Sequence, residues 1–88
     1  MKAIEQQLRQ FVSENFLFGE DASRLSNQDS FLEGGIIDST GVLELVTFVE
    51  ENYPIRVEDR ELTPENLDTI DNLVRFIETK LSELANQA

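Results

Sequence analysis

The last part of the chain constrains the fold most. From Ile70 onward the apolar residues Ile70, Leu73, Val74, Ile77, Leu81 and Leu84 recur at helical steps. At about 100° per residue they fall in one stripe roughly 100° wide, so this segment is a helix with one dry face and one wet face. It opens at Asp68 or Thr69. Such a helix needs partners with matching stripes, and the chain supplies two. Ile4, Leu8, Phe11 and Val12 share a face, which predicts a first helix from about Lys2 to Phe16. Val42, Leu45, Val46, Val49 and Tyr53 share another, which predicts a second from Ser39 to about Asn52. Pro54 ends it, because proline cannot continue the hydrogen-bond ladder. Phe48 lies at the flank of that stripe, placed to pack sideways, whereas Leu43 falls among polar residues one turn beyond Ser39.

The rest of the chain connects these helices. Residues 55–69 carry too few apolar positions for a long helix, but Thr63-Pro64 reads as an N-cap and first helical position of a short one. The first helix fades into Gly19-Glu20-Asp21-Ala22-Ser23, with Gly19 as a candidate C-cap. From there to Ile37 no period is evident, yet Leu25, Phe31, Leu32, Ile36 and Ile37 require burial. A long loop held in ordered form against the helices is therefore expected, with Gly34-Gly35 as a flexible break. Residues 1–88 read as a single all-α domain: a small four-helix bundle of three longer helices and one short one.

Composition removes whole classes of chemistry. With no His and no Cys among 88 residues, the chain cannot build a Ser-His-Asp or Cys-His pair, a thiolate zinc site or a disulfide. An enzyme would have to run on carboxylates, Tyr53 and hydroxyls. The acidic stretch from Glu58 to Asp71 lacks the alternating ligands and central glycine of an EF-hand loop, so no metal site is assigned. The N-terminus MKAIEQQLRQ lacks the apolar run of a signal sequence and no stretch reaches the length of a membrane span. A soluble, cytoplasmic monomer is expected.

Seven basic against 18 acidic side chains give a net charge of −11, of which −8 falls in residues 38–71. That charge opposes binding to nucleic-acid phosphates and stable association with anionic membranes. Partners should present basic surfaces and meet the middle segment.

The informative segment is Gly34-Gly35-Ile36-Ile37-Asp38-Ser39-Thr40-Gly41-Val42-Leu43-Glu44-Leu45. It places a serine hydroxyl at the start of an acidic helix with no base beside it to activate it. Taken alone, the Asp-Ser pair is a helix cap: it accepts backbone N–H groups, and the aspartate favours the positive end of the helix dipole.

The whole constellation resembles the acyl carrier and peptidyl carrier protein family, whose attachment motif is Asp-Ser-Leu at the start of the second helix. The resemblance runs through an N-terminal helix, a long loop, Gly-Gly-x-x-Asp-Ser, an acidic amphipathic helix, a short third helix and a final apolar helix. It implies that Ser39 receives a covalent 4′-phosphopantetheine arm from coenzyme A through a separate phosphopantetheinyl transferase. The arm's thiol then holds an acyl or aminoacyl group as a thioester. Such a serine is the substrate of another enzyme, which brings its own base, so the carrier is not itself an enzyme. Asp38 would cap the second helix, orient Ser39 and be read by the transferase.

The resemblance further implies a docking face. Leu43, Glu44, Thr47 and Glu50 occupy the places where acidic residues meet basic patches and an apolar residue fills a partner's pocket. Partners would include a loading ligase or adenylating enzyme and a downstream synthase or transferase with a basic surface. A loaded chain would fold back between the helices. Two positions depart from the family pattern: Thr40 and Gly41 stand where Leu and an acidic residue are usual. That removes one apolar contact and loosens the first turn by about 1 kcal/mol for a helical glycine. The competing reading is an acidic helical adaptor that binds a basic protein without covalent modification.

Overall fold

Among the described residues four α-helices answer to the expected elements: α1 (Lys2–Val12), α2 (Ser39–Asn52), α3 (Pro64–Leu67) and α4 (Ile70–Asn86). They are seen in a computed structural model that describes residues 2–17 and 25–86. The Gly19 cap and its polar cluster lie outside the described residues. None of the described helices is long and apolar enough to cross a membrane.

The stripes meet in one core. Ile4, Leu8 and Val12 from α1, Leu45 and Val49 from α2, Leu67 from α3, and Ile70, Leu73, Phe76 and Ile77 from α4 are buried together. Each side chain of this kind contributes about 1.5–3 kcal/mol when fully taken from water. Val42, Val46, Tyr53, Val74 and Leu81 pack half-buried around it. Leu84 departs from expectation and stays 46% exposed. The stripe of α4 continues past the elements that cover it, so Leu84 borders a surface groove with Pro54 and Ile55.

The end of α1 also differs from the expected helix to Phe16. After Val12 the backbone widens into a π-helical turn, Ser13–Leu17. Aromatic side chains pack on both sides of this turn, with Phe16 lying against Gly41 of α2. Phe11 meets Phe16 edge to face, with centroids 5.8 Å apart, and stacks on Phe48 of α2 at 4.2 Å. The wider turn accommodates one more residue per hydrogen bond and lets Phe16 reach α2.

The loop is ordered by named contacts. Arg9 donates to the Asn27 side chain at 2.6 Å and to the Leu25 carbonyl at 2.7 Å, while the Asn27 side chain donates to Glu5. These tie the loop to α1. Leu25, Phe31 and Ile37 are buried in the core and Ile36 packs half-buried against it. Leu32 is the exception, 44% exposed. The turn that sinks Phe31 turns its neighbour outward.

Gly34-Gly35 is a tight turn rather than a flexible break. Gly35 sits at φ 69°, a left-handed conformation that glycine adopts without a Cβ penalty, and its N–H bonds the Leu32 carbonyl at 3.2 Å. The turn brings Ile36 and Ile37 back so that both their N–H groups donate to the Phe31 carbonyl, at 2.9 and 3.2 Å.

Between α2 and α3 lies a 3-10 turn, Asp59–Glu61, closed by the Glu58 N–H donating to the Glu61 carboxylate at 2.9 Å and the Glu61 N–H donating to the Glu58 carbonyl at 2.8 Å. Lys80 of α4 holds it down, donating to both Glu61 carboxylate oxygens at 2.9 and 3.1 Å. Thr63 precedes α3 in extended conformation with Pro64 first in the helix, but its side chain makes no capping bond. At α4 the cap is Thr69, whose Oγ1 accepts the Asn72 N–H at 3.0 Å.

Candidate functional site

The site is built on the first turn of α2. Asp38 has extended backbone, φ −94° and ψ −178°, and its Oδ1 accepts the Gly41 N–H at 2.7 Å. Its carbonyl accepts the Val42 N–H at 3.0 Å, which starts the helical ladder. Ser39 is thereby the first helical residue, with an exposed side chain. The positive end of the helix lies at this point.

Gly41 allows this turn to sit where it does. A Cβ there would come within 2.8 Å of Ile37 Cγ2 and 2.9 Å of Phe16 Cε1, and Gly41 is buried. Its absence of side chain lets the loop's last buried residue and the π-helical turn close against α2. The glycine that by propensity alone only weakens the helix is a close-approach position.

Ser39 stands at the rim of an apolar groove of about 260 Å³. Val42 and Leu43 of α2 form one side, Leu32 reaches in from the loop, and Leu62, Pro64 and Leu67 form the other, with Thr63 and Asp68 beside them. Among the described residues four large apolar side chains are exposed, and three of them, Leu32, Leu43 and Leu62, line this groove. Leu43 is the most exposed at 58%. Leu62 and the groove walls of α3 were not legible as site residues: only the lack of any periodic partner for Leu62 hints that it is not core.

The remaining candidates on α2 are distributed along the helix. Glu44 and Thr47 are exposed, and the Thr47 hydroxyl donates back to the Leu43 carbonyl at 3.0 Å. Glu50 is exposed too, but its carboxylate accepts the Val57 N–H at 2.8 Å and so anchors the segment that follows α2. The structure thus joins Ser39 and Leu43 in one groove and sets Glu50 apart from it. Tyr53 ends α2, its N–H bonding the Val49 carbonyl and its hydroxyl donating to Gln7. Burial pushes its phenol up from the ordinary value. It lies about 20 Å along the helix from Ser39 and cannot serve as its base.

An exposed hydroxyl at a helix start suits a phosphodiester. The first-turn N–H groups lie outside the helix's own ladder, and the dipole favours a phosphate there. The adjacent apolar groove offers a surface to whatever hangs from that phosphate.

No protein-family model matches this chain. An acyl carrier protein from an Exiguobacterium species is 36% identical to it over 63 residues, covering 72% of this chain and 77% of the relative. The chain belongs to the acyl carrier protein family. A D-alanyl carrier protein from Streptococcus pyogenes is 32% identical over 62 residues, 70% of this chain and 77% of that one. The solved structure of a holo acyl carrier protein from Nitrosomonas europaea aligns at a TM-score of 0.72 with 30% identity, over 93% of this chain and 99% of that one. An acyl carrier fold accounts for the all-helical architecture, and family membership disfavours the adaptor reading.

Proposed function

We propose that this acyl carrier protein holds acyl or aminoacyl intermediates as thioesters on a 4′-phosphopantetheine arm attached to Ser39. The observation that carries the reading is exposed Ser39, first in α2 behind the Asp38 cap, at the rim of an apolar groove. When bound, the arm supplies the thiol that the chain itself lacks. The chain's residues present and orient. Asp38 fixes the first turn, so exposed Ser39 is presented from a rigid element rather than from a loop. The Asp38 carboxylate is engaged by the Gly41 N–H and Tyr53 lies about 20 Å along α2, so the base for the transfer is assigned to a separate phosphopantetheinyl transferase.

Docking falls to the surface beside Ser39. Leu43 offers an apolar anchor, while Glu44, Thr47 and the acidic surroundings meet basic partner surfaces; Glu50 contributes charge at the far end of α2. Exposed charges raise encounter rates more than affinity, which suits a carrier that must exchange a ligase or adenylating enzyme for a downstream synthase or transferase. Tethering then concentrates the cargo at each active site. All of this is compatible with action in the cytoplasm.

The test is intact-mass measurement after incubation with coenzyme A, magnesium and a promiscuous transferase. The native chain gains one phosphopantetheine and Ser39→Ala gains none. A folded native sample that gains nothing would refute the attachment.

A further inference from the structure

Asp68 stands where a cap for α4 is expected, yet Thr69 fills that role. The Asp68 side chain turns instead to the loop. Its Oδ1 accepts the Leu32 N–H at 3.0 Å and its Oδ2 accepts the Ser30 hydroxyl, while its backbone carbonyl accepts the Phe31 N–H at 2.8 Å. Three consecutive loop residues hang on this one residue. Ser30 extends the order, since its Oγ also accepts the Glu33 N–H at 3.1 Å. On its other side Asp68 is joined to α3, its N–H donating to the Pro64 carbonyl at 3.0 Å. It therefore links the loop, from which Leu32 reaches into the groove beside Ser39, to the wall formed by Pro64 and Leu67.

The two loop residues at this joint are held differently. Phe31 is 1% exposed and fixed by packing, whereas Leu32, 44% exposed, has little packing to fix it. Beside the turn bond from the Gly35 N–H to its carbonyl, Leu32 is held by its own N–H donating to the Asp68 carboxylate. Leu32 matters because Thr40 stands where the family motif has leucine, so the apolar contact beside the serine falls to Leu43 and Leu32.

We propose that Asp68 is a positioning residue for modification of the carrier: it holds Leu32 at the rim beside Ser39 and so shapes the apolar contact that the transferase meets. The role rests on the reading of Ser39 as the attachment site.

Asp68→Ala removes both side-chain bonds and leaves the backbone one. Exchange of the Leu32 amide should quicken about tenfold, the equivalent of one charge-assisted hydrogen bond, while the Leu73 and Ile77 amides keep their protection. The transferase KM for the carrier should rise roughly three- to tenfold with kcat within about twofold, the mark of lost docking rather than lost chemistry. Asp68→Asn keeps an acceptor for the Leu32 N–H and should recover most of the loss. Leu32→Ala should raise KM by itself, and adding Asp68→Ala should change it little further, because both act through one contact. Should Asp68→Ala fail to fold, Ser30→Ala gives the same pattern at smaller size.

The proposal is overturned by an unchanged KM in a folded Asp68→Ala variant, by a full second loss on top of Leu32→Ala, or by exchange that quickens equally across the core. If the native chain acquires no arm, the attachment reading fails and this role with it. If the native chain is modified and the variants match it, only the role of Asp68 fails.

Discussion

Replacing Gly41 by alanine sets two effects of opposite sign against each other. Alanine in a helix is favoured over glycine by about 1 kcal/mol, so by helix propensity alone the variant gains stability. The structure argues otherwise. The new Cβ would lie 2.8 Å from Ile37 Cγ2, 2.9 Å from Phe16 Cε1 and 3.3 Å from Asp38 Oδ1. Carbon pairs prefer about 3.5–4.0 Å, so Ile37 and Phe16 must each retreat by the better part of an ångström. Ile37 is 2% exposed and has nowhere to go without moving the loop. Overpacking of this kind costs about 1–3 kcal/mol.

The net expectation is a loss of about 1 kcal/mol, which for a domain of this size lowers Tm by about 4–8 °C. Urea unfolding followed by far-ultraviolet circular dichroism measures it, with the m-value unchanged so that only stability is read. In a Phe16→Leu background, where the ring carbon is gone, the same substitution should cost measurably less. A Gly41→Ala variant that is more stable than the native chain would refute the close-approach argument and restore the view of Gly41 as a mere weak point.

Further outcomes follow from the same geometry. Asp38→Ala removes the cap on the Gly41 N–H and should cost about 1 kcal/mol by the same unfolding assay, while Asp38→Ser should retain most of it. Leu43→Ala should leave stability within about 0.5 kcal/mol, since the side chain is largely in water, yet raise the transferase KM through loss of the docking anchor. Burial works to raise the Glu61 carboxyl, but the Glu58 N–H, the Lys80 ammonium and the Arg60 charge outweigh it and hold the group below its ordinary 4.5. Its ionised form is favoured by folding, so the contribution is fully present above the ordinary value and is lost as pH falls through the lower folded one. The stability gap between the native chain and Glu61→Gln, about 1 kcal/mol at neutral pH, should therefore close as urea melts are repeated toward pH 3.

The elements of this carrier were legible because they are local. Stripes of apolar residues, Pro54 after α2, Thr63-Pro64 before α3 and the Asp38-Ser39 junction are all decided within a few residues of chain, where helical period and capping act. The same holds for the placing of Ser39 at a helix start, and for Leu43 outside the core stripe. Contacts between distant segments decided the rest. Leu32 and Leu62 have the hydrophobicity of core residues, and only the closure of the loop against α3 turns them outward to make a groove beside the serine. Phe16 leaves the α-helical path for a partner on α2, Gly41 matters for what approaches it, and Asp68 reaches back to Leu32 rather than capping its own helix. Helical period and capping are properties of neighbours in sequence, whereas the walls of a groove belong to residues brought together only when the bundle closes.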